Sequence, residues 1–187
     1  YPIKNLPWPL ITLFRFDTFL SAKSDLIECD YLMFSNANMI CSSIVSEEEF
    51  LPDSTNDEVL FFTDHPGYYK CKMKDVPYER RSKSLAYIPY NCGEHYVIGA
   101  LFGGETNAFL DMSVILKKRI EEDLKKNIIA RWHDESHINR YIIKKNNIKY
   151  LSPSFCYPVG FDLNVEKKIA GVSKQDKFDV KSFKGQY

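Results

Sequence analysis

One α/β domain is the fold class this sequence predicts, and three observations carry that reading. Short apolar runs of strand length, at 29–34, 59–62 and 96–102, each break off into polar or glycine residues. Around them lie stretches with apolar side chains at helical spacing, the longest from Asn107 to about Lys126. No internal repeat or low-complexity linker divides the 187 residues, a length that supports one domain with a real core. Strands alternating with helices place sites at the carboxyl ends of strands, and the polar clusters fall there.

The elements follow in order. Pro7 and Pro9 mark the entry to a helix over Thr12–Ile27, with Leu13, Phe16, Leu20 and Ile27 on its core face. A strand over Cys29–Phe34 stops abruptly at Ser35-Asn36-Ala37-Asn38, a second over Val59–Phe62 runs into Thr63-Asp64-His65-Pro66-Gly67, and a third over Tyr96–Phe102 ends in Gly103-Gly104. Phe109, Met112, Leu116, Ile120 and Leu124 draw the stripe of the long helix, whose Lys/Glu-rich outer face is solvated surface. A further helix begins near Asp134 and carries Ile138, Tyr141 and Ile142, and Tyr150-Leu151 offers a fourth short strand.

Composition narrows the function classes. Hydrophobic residues make up 44% of the chain and charged ones 27%, ordinary for a soluble domain, and 25 basic side chains balance 25 acidic ones. A neutral chain has no bulk field to draw it to nucleic acid or an anionic membrane. Five cysteines without a Cys-x-x-Cys pair argue against a disulfide framework or a zinc ribbon and for a reducing compartment. No apolar stretch approaches the roughly 20 residues a bilayer needs, so no transmembrane segment is expected.

The densest chemistry lies in Arg131-Trp132-His133-Asp134-Glu135-Ser136-His137-Ile138-Asn139. An indole stacks on the apolar face of a sugar or base, carboxylates bind hydroxyls or act as base or nucleophile, and imidazoles relay hydrogen bonds near neutral pH. His133 and His137 stand one helical turn apart with Glu135 between them, so a zinc site is an alternative, although the spacing is not His-Glu-x-x-His and no further ligand is marked. Asn36-Ala37-Asn38 in extended chain would put two carboxamides on one face, able to hydrogen-bond a diphosphate but lacking the charge a hard cation needs; otherwise the segment is a turn. His65-Pro66-Gly67-Tyr68-Tyr69 reads either as a turn or as a hydroxyl-binding loop. Tyr78-Glu79-Arg80-Arg81 is an internal salt-bridge network or an anion clamp, with the network slightly ahead. Gly99-Ala100 and Gly103-Gly104 permit close approach of a ligand to backbone, or mark turns.

These pieces occur together and in order. With Ser84-x-Ala86-Tyr87-Ile88-Pro89, Phe102-Gly103-Gly104 and Leu151-Ser152-Pro153, they resemble glycosyltransferase family 6, the family of the mammalian ABO blood-group transferases and α1,3-galactosyltransferase and of shorter bacterial relatives. The resemblance runs from about Trp8 to Pro158. It implies a GT-A type fold, a Rossmann-like mixed sheet flanked by helices, with 1–187 as a single catalytic domain and a first strand-helix unit, holding uracil and ribose, expected ahead of Tyr1.

The implied activity is retaining transfer of galactose or N-acetylgalactosamine from a UDP-sugar to the 3-hydroxyl of a β-galactoside, often a fucosylated one. Glu135 matches the family's catalytic glutamate. Arg15, His133 and Asp134, with Thr12, match the donor side, and Ile98, Gly99 and Ala100 match the segment that tunes galactose against N-acetylgalactosamine, Ala100 leaning toward galactose. Trp132 and His65 match the acceptor side together with Glu135. Pro77 and Pro158 depart from polar acceptor-binding residues of mammalian members. Asn36, Ala37 and Asn38 occupy the place of the Asp-x-Asp that binds Mn²⁺ in mammalian members and resemble the Asn-x-Asn of bacterial ones, so no metal cofactor is expected. Departing UDP would then need positive charge, and the basic tail over 167–187, with Lys174, Lys177, Lys181 and Lys184, is either a closing lid or solvated surface. The expected setting is the bacterial cytoplasm, with membrane association only through a glycolipid acceptor. The competing reading is a catalytically silent carbohydrate-binding remnant of the same family.

Overall fold

The structure is a computed structural model that describes residues 2, 3 and 5–173. Its centre is a four-stranded mixed sheet. Strand β1 (Tyr31–Ser35) pairs antiparallel with β4 (Val97–Glu105), which pairs antiparallel with β3 (Leu60–Asp64), and β3 lies parallel to β5 (Ile148–Leu151). A smaller sheet joins β2 (Met39–Cys41), β7 (Ile169–Gly171) and β6 (Tyr157–Pro158) in the order β2-β7-β6. Helices α1 (Leu10–Leu13), α2 (Arg15–Ser21), α3 (Lys23–Leu26), α4 (Glu47–Phe50), α5 (Thr106–Lys125) and α6 (His133–Ile142) complete the architecture. A mixed sheet flanked by helices is what a GT-A-like glycosyltransferase fold requires. No described helix is long and apolar enough to cross a membrane.

Strand alternation divides the core. Leu60 and Phe62 of β3 and Phe102 of β4 face the helical side, where they pack with Leu13, Phe16, Phe109, Met112, Leu116 and Ile138. Phe61 and Leu101 face the other side and meet Leu151, Phe155 and Ile169, with Phe50 of α4 against them. Burying a large apolar side chain contributes roughly 1.5–3 kcal/mol, so these two layers fix the sheet between α2/α5/α6 and the small sheet. The stripe read for α5 is the buried one, with Phe109, Met112, Leu116 and Ile120 all inside. The helix stops where Asn127 takes a left-handed φ of 55°.

Two expectations change. The single helix over Thr12–Ile27 is three short ones, interrupted at Phe14 and Ala22. Thr12, Thr18 and Ser21 each donate a hydroxyl back to a carbonyl three or four residues earlier, which bends a helix, and Ile27 ends up exposed. The third strand does not end at Gly103-Gly104 but continues through both to Glu105. Both glycines are closed in by protein: a Cβ on Gly104 would strike the Val59 carbonyl, and one on Gly103 would strike the Leu32 carbonyl and come within 2.6 Å of the Phe61 ring, which lies across it.

That ring cannot yield, because Phe61 is buried and wedged by Phe50 at 4.8 Å between centroids. Gly103→Ala is therefore expected to destabilise the protein by about 3 kcal/mol, read as a fall of roughly 5–10 °C in the thermal unfolding midpoint. An unchanged midpoint would show that β1 and β4 separate at no cost.

Candidate active site

The site is built where β1 and β3 end and antiparallel β4 begins, with the first turn of α6 laid across it. Asn139, fully buried, fixes that crossing. Its Oδ1 accepts from the Val97 N–H at 2.9 Å, and its Nδ2 donates to the Val97 carbonyl at 2.8 Å and to the Glu135 carbonyl at 2.9 Å. One carboxamide thus satisfies both main-chain groups of the first β4 residue, as a neighbouring strand would. Residues four apart share a helix face and residues two apart share a strand face, so this clamp sets Glu135 opposite Gly99.

Glu135 is held at both oxygens. Tyr96 donates its hydroxyl to Oε1 at 2.7 Å and Gly99 donates its N–H to Oε2 at 2.9 Å. Burial pushes the carboxyl up to about 7, against the downward pull of the Gly99 and Tyr96 hydrogen bonds. Gly99 is required to be small: a Cβ there would lie 3.3 Å from Asp134 Oδ2 and 3.4 Å from Glu135 Cβ. Its carbonyl accepts from Arg15 Nη1 at 2.7 Å, and the same nitrogen lies 3.2 Å from Asp134 Oδ2. Arg15 also stacks over Phe34 at 4.3 Å, while its Nε is buried with no hydrogen-bond partner among the described residues. Burial raises the Asp134 carboxyl, opposed by Arg15 and by the Thr12 hydroxyl.

The approach to α6 is strained. His133 has a φ of 50°, rare for a residue with a Cβ. The flanking contacts hold it there: its N–H donates to the Ala130 carbonyl, Trp132 N donates to Ser136 Oγ at 2.9 Å, and the Trp8 and His133 rings meet in a T-shaped contact at 4.5 Å between centroids. This turns the His133 ring toward the cleft and leaves Trp132 with 44% of its surface exposed. On the opposite wall, His65 Nδ1 accepts from the Gly67 N–H at 3.0 Å, and burial pushes the imidazole down to about 4. The neutral ring therefore carries its proton on Nε2, a donor suited to a hydroxyl.

A cleft of about 280 Å³ brings together Arg15, Asn36, His65, Ile98, Gly99, Ala100, Trp132, His133, Asp134 and Glu135. Thr12 lies outside its lining, beside Asp134. Ala37 and Asn38 do not reach it. The segment after β1 is a turn and not extended chain, and the Asn38 side chain donates to the Val172 carbonyl at 2.6 Å instead of sharing a face with Asn36. Lys174, Lys177, Lys181 and Lys184 lie outside the described residues. The zinc arrangement does not form: His137 is buried behind the helix, 3.7 Å from Asp123, and no three His, Cys, Asp or Glu side chains converge among the described residues.

Tyr78-Glu79-Arg80-Arg81 is an internal network. Glu79 is buried and accepts from Arg81 N, Nε and Nη2 and from Arg131 N, while Arg80 donates to the Ile88 and Met73 carbonyls. Sequence reasoning missed Tyr96 and Asn139 as site residues. Asn139 stood at the end of the densest motif, and Tyr96 opened a strand otherwise read as core.

Comparison with known proteins gives a coherent set of relatives. The model of glycosyltransferase family 6 matches residues 7–179. The chain is 35% identical over 130 residues to histo-blood group ABO system transferase 2 of Rattus norvegicus, covering 70% of this chain and 37% of the rat protein. It is 40% identical over 130 residues to globoside alpha-1,3-N-acetylgalactosaminyltransferase 1 of Gallus gallus, covering 70% of this chain and 36% of that protein. Over 162 residues it is 36% identical to O-antigen biosynthesis glycosyltransferase WbnI of Escherichia coli, covering 87% of this chain and 67% of the bacterial one. The chain thus spans little more than a third of the rat and chicken proteins. A family match along most of the described residues, over a cleft that assembles the motif residues on a mixed sheet, places this chain in glycosyltransferase family 6.

Proposed function

We propose that this chain transfers galactose or N-acetylgalactosamine from a UDP-sugar, with retention, to the 3-hydroxyl of a β-galactoside, 2-fucosylated acceptors included, and that it does so without a metal ion. Family membership supplies the coarser part, a hexosyltransferase with a sugar donor and a sugar acceptor. The observation that supports the rest is the Glu135 carboxylate, held at both oxygens in a cleft between the Arg15–Asp134 pair and the His65 and Trp132 walls.

In the proposed reaction the bond from the sugar C1 to the UDP oxygen breaks, and the acceptor 3-oxygen bonds to C1 on the face UDP leaves. The acceptor hydroxyl proton departs with the UDP phosphate oxygen. Glu135 faces the cationic C1, either bonding to it transiently or steadying the ion pair. His65 Nε2 and the Trp132 ring orient the galactoside, and Asp134 and Arg15 hold donor hydroxyls. Metal independence rests on the residue types at 36–38: two amides and an alanine offer no carboxylate to a hard cation, and Asn38 Nδ2 is bonded to Val172.

The test is UDP release by the full-length protein from UDP-galactose and from UDP-N-acetylgalactosamine, with 2′-fucosyllactose as acceptor. Acceptor-dependent release at the same rate in EDTA and in Mn²⁺ is the expected result. Release only with Mn²⁺ would remove the metal-free reading, and acceptor binding with no release under either condition would replace the transferase with a carbohydrate-binding protein.

A further inference from the structure

We propose that the acceptor carries an anionic group, a carboxylate or a phosphate, that seats in a second hollow next to the cleft and bonds Arg131. The inference rests on the acceptor assignment above. The hollow has a volume of about 450 Å³, lies between the 78–81 and 129–131 segments, and shares His133 with the cleft, so the two spaces adjoin at that residue.

Its chemistry is one-sided. Three guanidinium groups, from Arg80, Arg81 and Arg131, line it against the single carboxylate of Glu79. That carboxylate is already committed, because both its oxygens accept from Arg81 and Oε2 also takes the Arg131 N–H at 2.8 Å. Burial alone would raise the Glu79 carboxyl, but these donors overcome it and hold it below the usual range, so Glu79 stays ionised and cancels one guanidinium. Arg80 is fixed between the rings of Tyr78 and Tyr90, at 5.0 and 4.3 Å, and donates to two carbonyls, which makes it a rigid positive wall. Arg131 is exposed, and the hydrogen bond it makes to the described residues comes from its main-chain N–H, to Glu79, and not from its guanidinium. Arg81 faces the Glu79 carboxylate and, further off, that of Asp123, whereas Arg80 and Arg131 have no carboxylate within ion-pair distance among the described residues, around a space large enough for a sugar unit, one residue from the Trp132 ring. Planar guanidinium forks match carboxylate and phosphate oxygens, whereas a neutral aglycone would leave these charges unanswered.

The experiment compares ligands that share one β-galactosyl group: lactitol, which is neutral; lactobionate, which replaces the terminal hydroxymethyl with carboxylate; and lactose 1-phosphate. Affinities are measured by calorimetry, with and without UDP, so the answer does not depend on turnover. In the wild-type protein at low salt an anionic ligand is expected to bind about fivefold tighter than lactitol, the size of one or two partly exposed charge pairs, and the advantage should fade in 0.5 M NaCl. Arg131→Ala should collapse the ratio toward one and Arg131→Lys should keep part of it; the Arg131 N–H bond to Glu79 is main-chain and survives both. Preference for lactobionate alone indicates a sugar acid, and preference for the phosphate alone indicates a phosphate-linked carrier. Equal binding of all three ligands, or an anion preference that Arg131→Ala leaves intact, would overturn the proposal. Tight lactobionate binding with no UDP release would sustain the subsite while removing the transferase reading.

Discussion

Glu135→Gln is expected to lower the rate of sugar transfer about a thousandfold, on the order of 4 kcal/mol of lost transition-state stabilisation, while leaving UDP-galactose affinity within twofold. The substitution isolates the charge. Gln keeps the length of the side chain and both of its tethers, because its oxygen can take the Gly99 N–H and its amide can donate to the Tyr96 hydroxyl oxygen, the two groups that now bind Oε2 and Oε1. What it cannot do is put a negative charge against a cationic sugar carbon, which is needed only as the glycosidic bond breaks. Interactions made in the transition state alone appear in the rate and not in ground-state affinity. The two readouts are single-turnover transfer and calorimetric donor binding. Undiminished turnover in the variant would remove Glu135 from the chemistry.

The same carboxylate fixes the pH dependence. Burial holds its pKa near 7 against an ordinary 4.5, so the reactive ionised form is the minor one in mildly acid solution. The transfer rate should climb with pH up to about 7 and then level, falling roughly tenfold per unit on the acid side. Stability moves the other way. The folded protein binds the Glu135 proton more tightly than the unfolded chain, so this group contributes stability that is full below about 4.5 and is lost as pH rises through about 7. Glu135→Gln should flatten both trends.

How far the sequence could be read depends on the range of the interaction concerned. The α5 stripe and the β3 run were legible because helix and strand periods are local, and the cleft residues were legible because most of them sit in two short motifs, 98–100 and 132–135. Contacts between distant segments were not. The small sheet joins β2 to β7 across more than a hundred residues through three-residue strands that carry no period of their own. Asn38 reads in the sequence as sharing a face with Asn36 because its actual partner, the Val172 carbonyl, has no sequence signature. Gly103 looked like the end of a strand because nothing local announces that the Phe61 ring lies over it. Asn139 and Tyr96 have the same explanation: their work is to tie α6 to β4, and only the fold brings those elements together.

Arg15→Leu is expected to destabilise the protein by about 3–5 kcal/mol, a drop of roughly 10 °C in the unfolding midpoint for a chain of this size, and to abolish transfer as well. The side chains of Arg15 and Asp134 are only 13% and 8% exposed and lie 3.2 Å apart. Removing the guanidinium leaves the buried Asp134 carboxylate without its cation and the Gly99 carbonyl without the Nη1 donor. Burial already raises the Asp134 carboxyl, and Arg15 is the main force opposing that rise. In the variant the group climbs further and protonates more readily. Its folded form binds the proton more tightly than the unfolded chain, so the deficit should be largest at pH 8 and shrink toward pH 5 as protonation removes the buried charge. Arg15→Leu combined with Asp134→Asn should recover a good part of the lost stability, since no charge then remains to desolvate, yet recover none of the transfer activity. That split between stability and activity is what separates a pair kept for its substrate from one kept for the fold. A double variant no more stable than Arg15→Leu alone would mean that the loss comes from the Gly99 carbonyl and the Phe34 ring, which Arg15 also contacts, and not from the charge of Asp134.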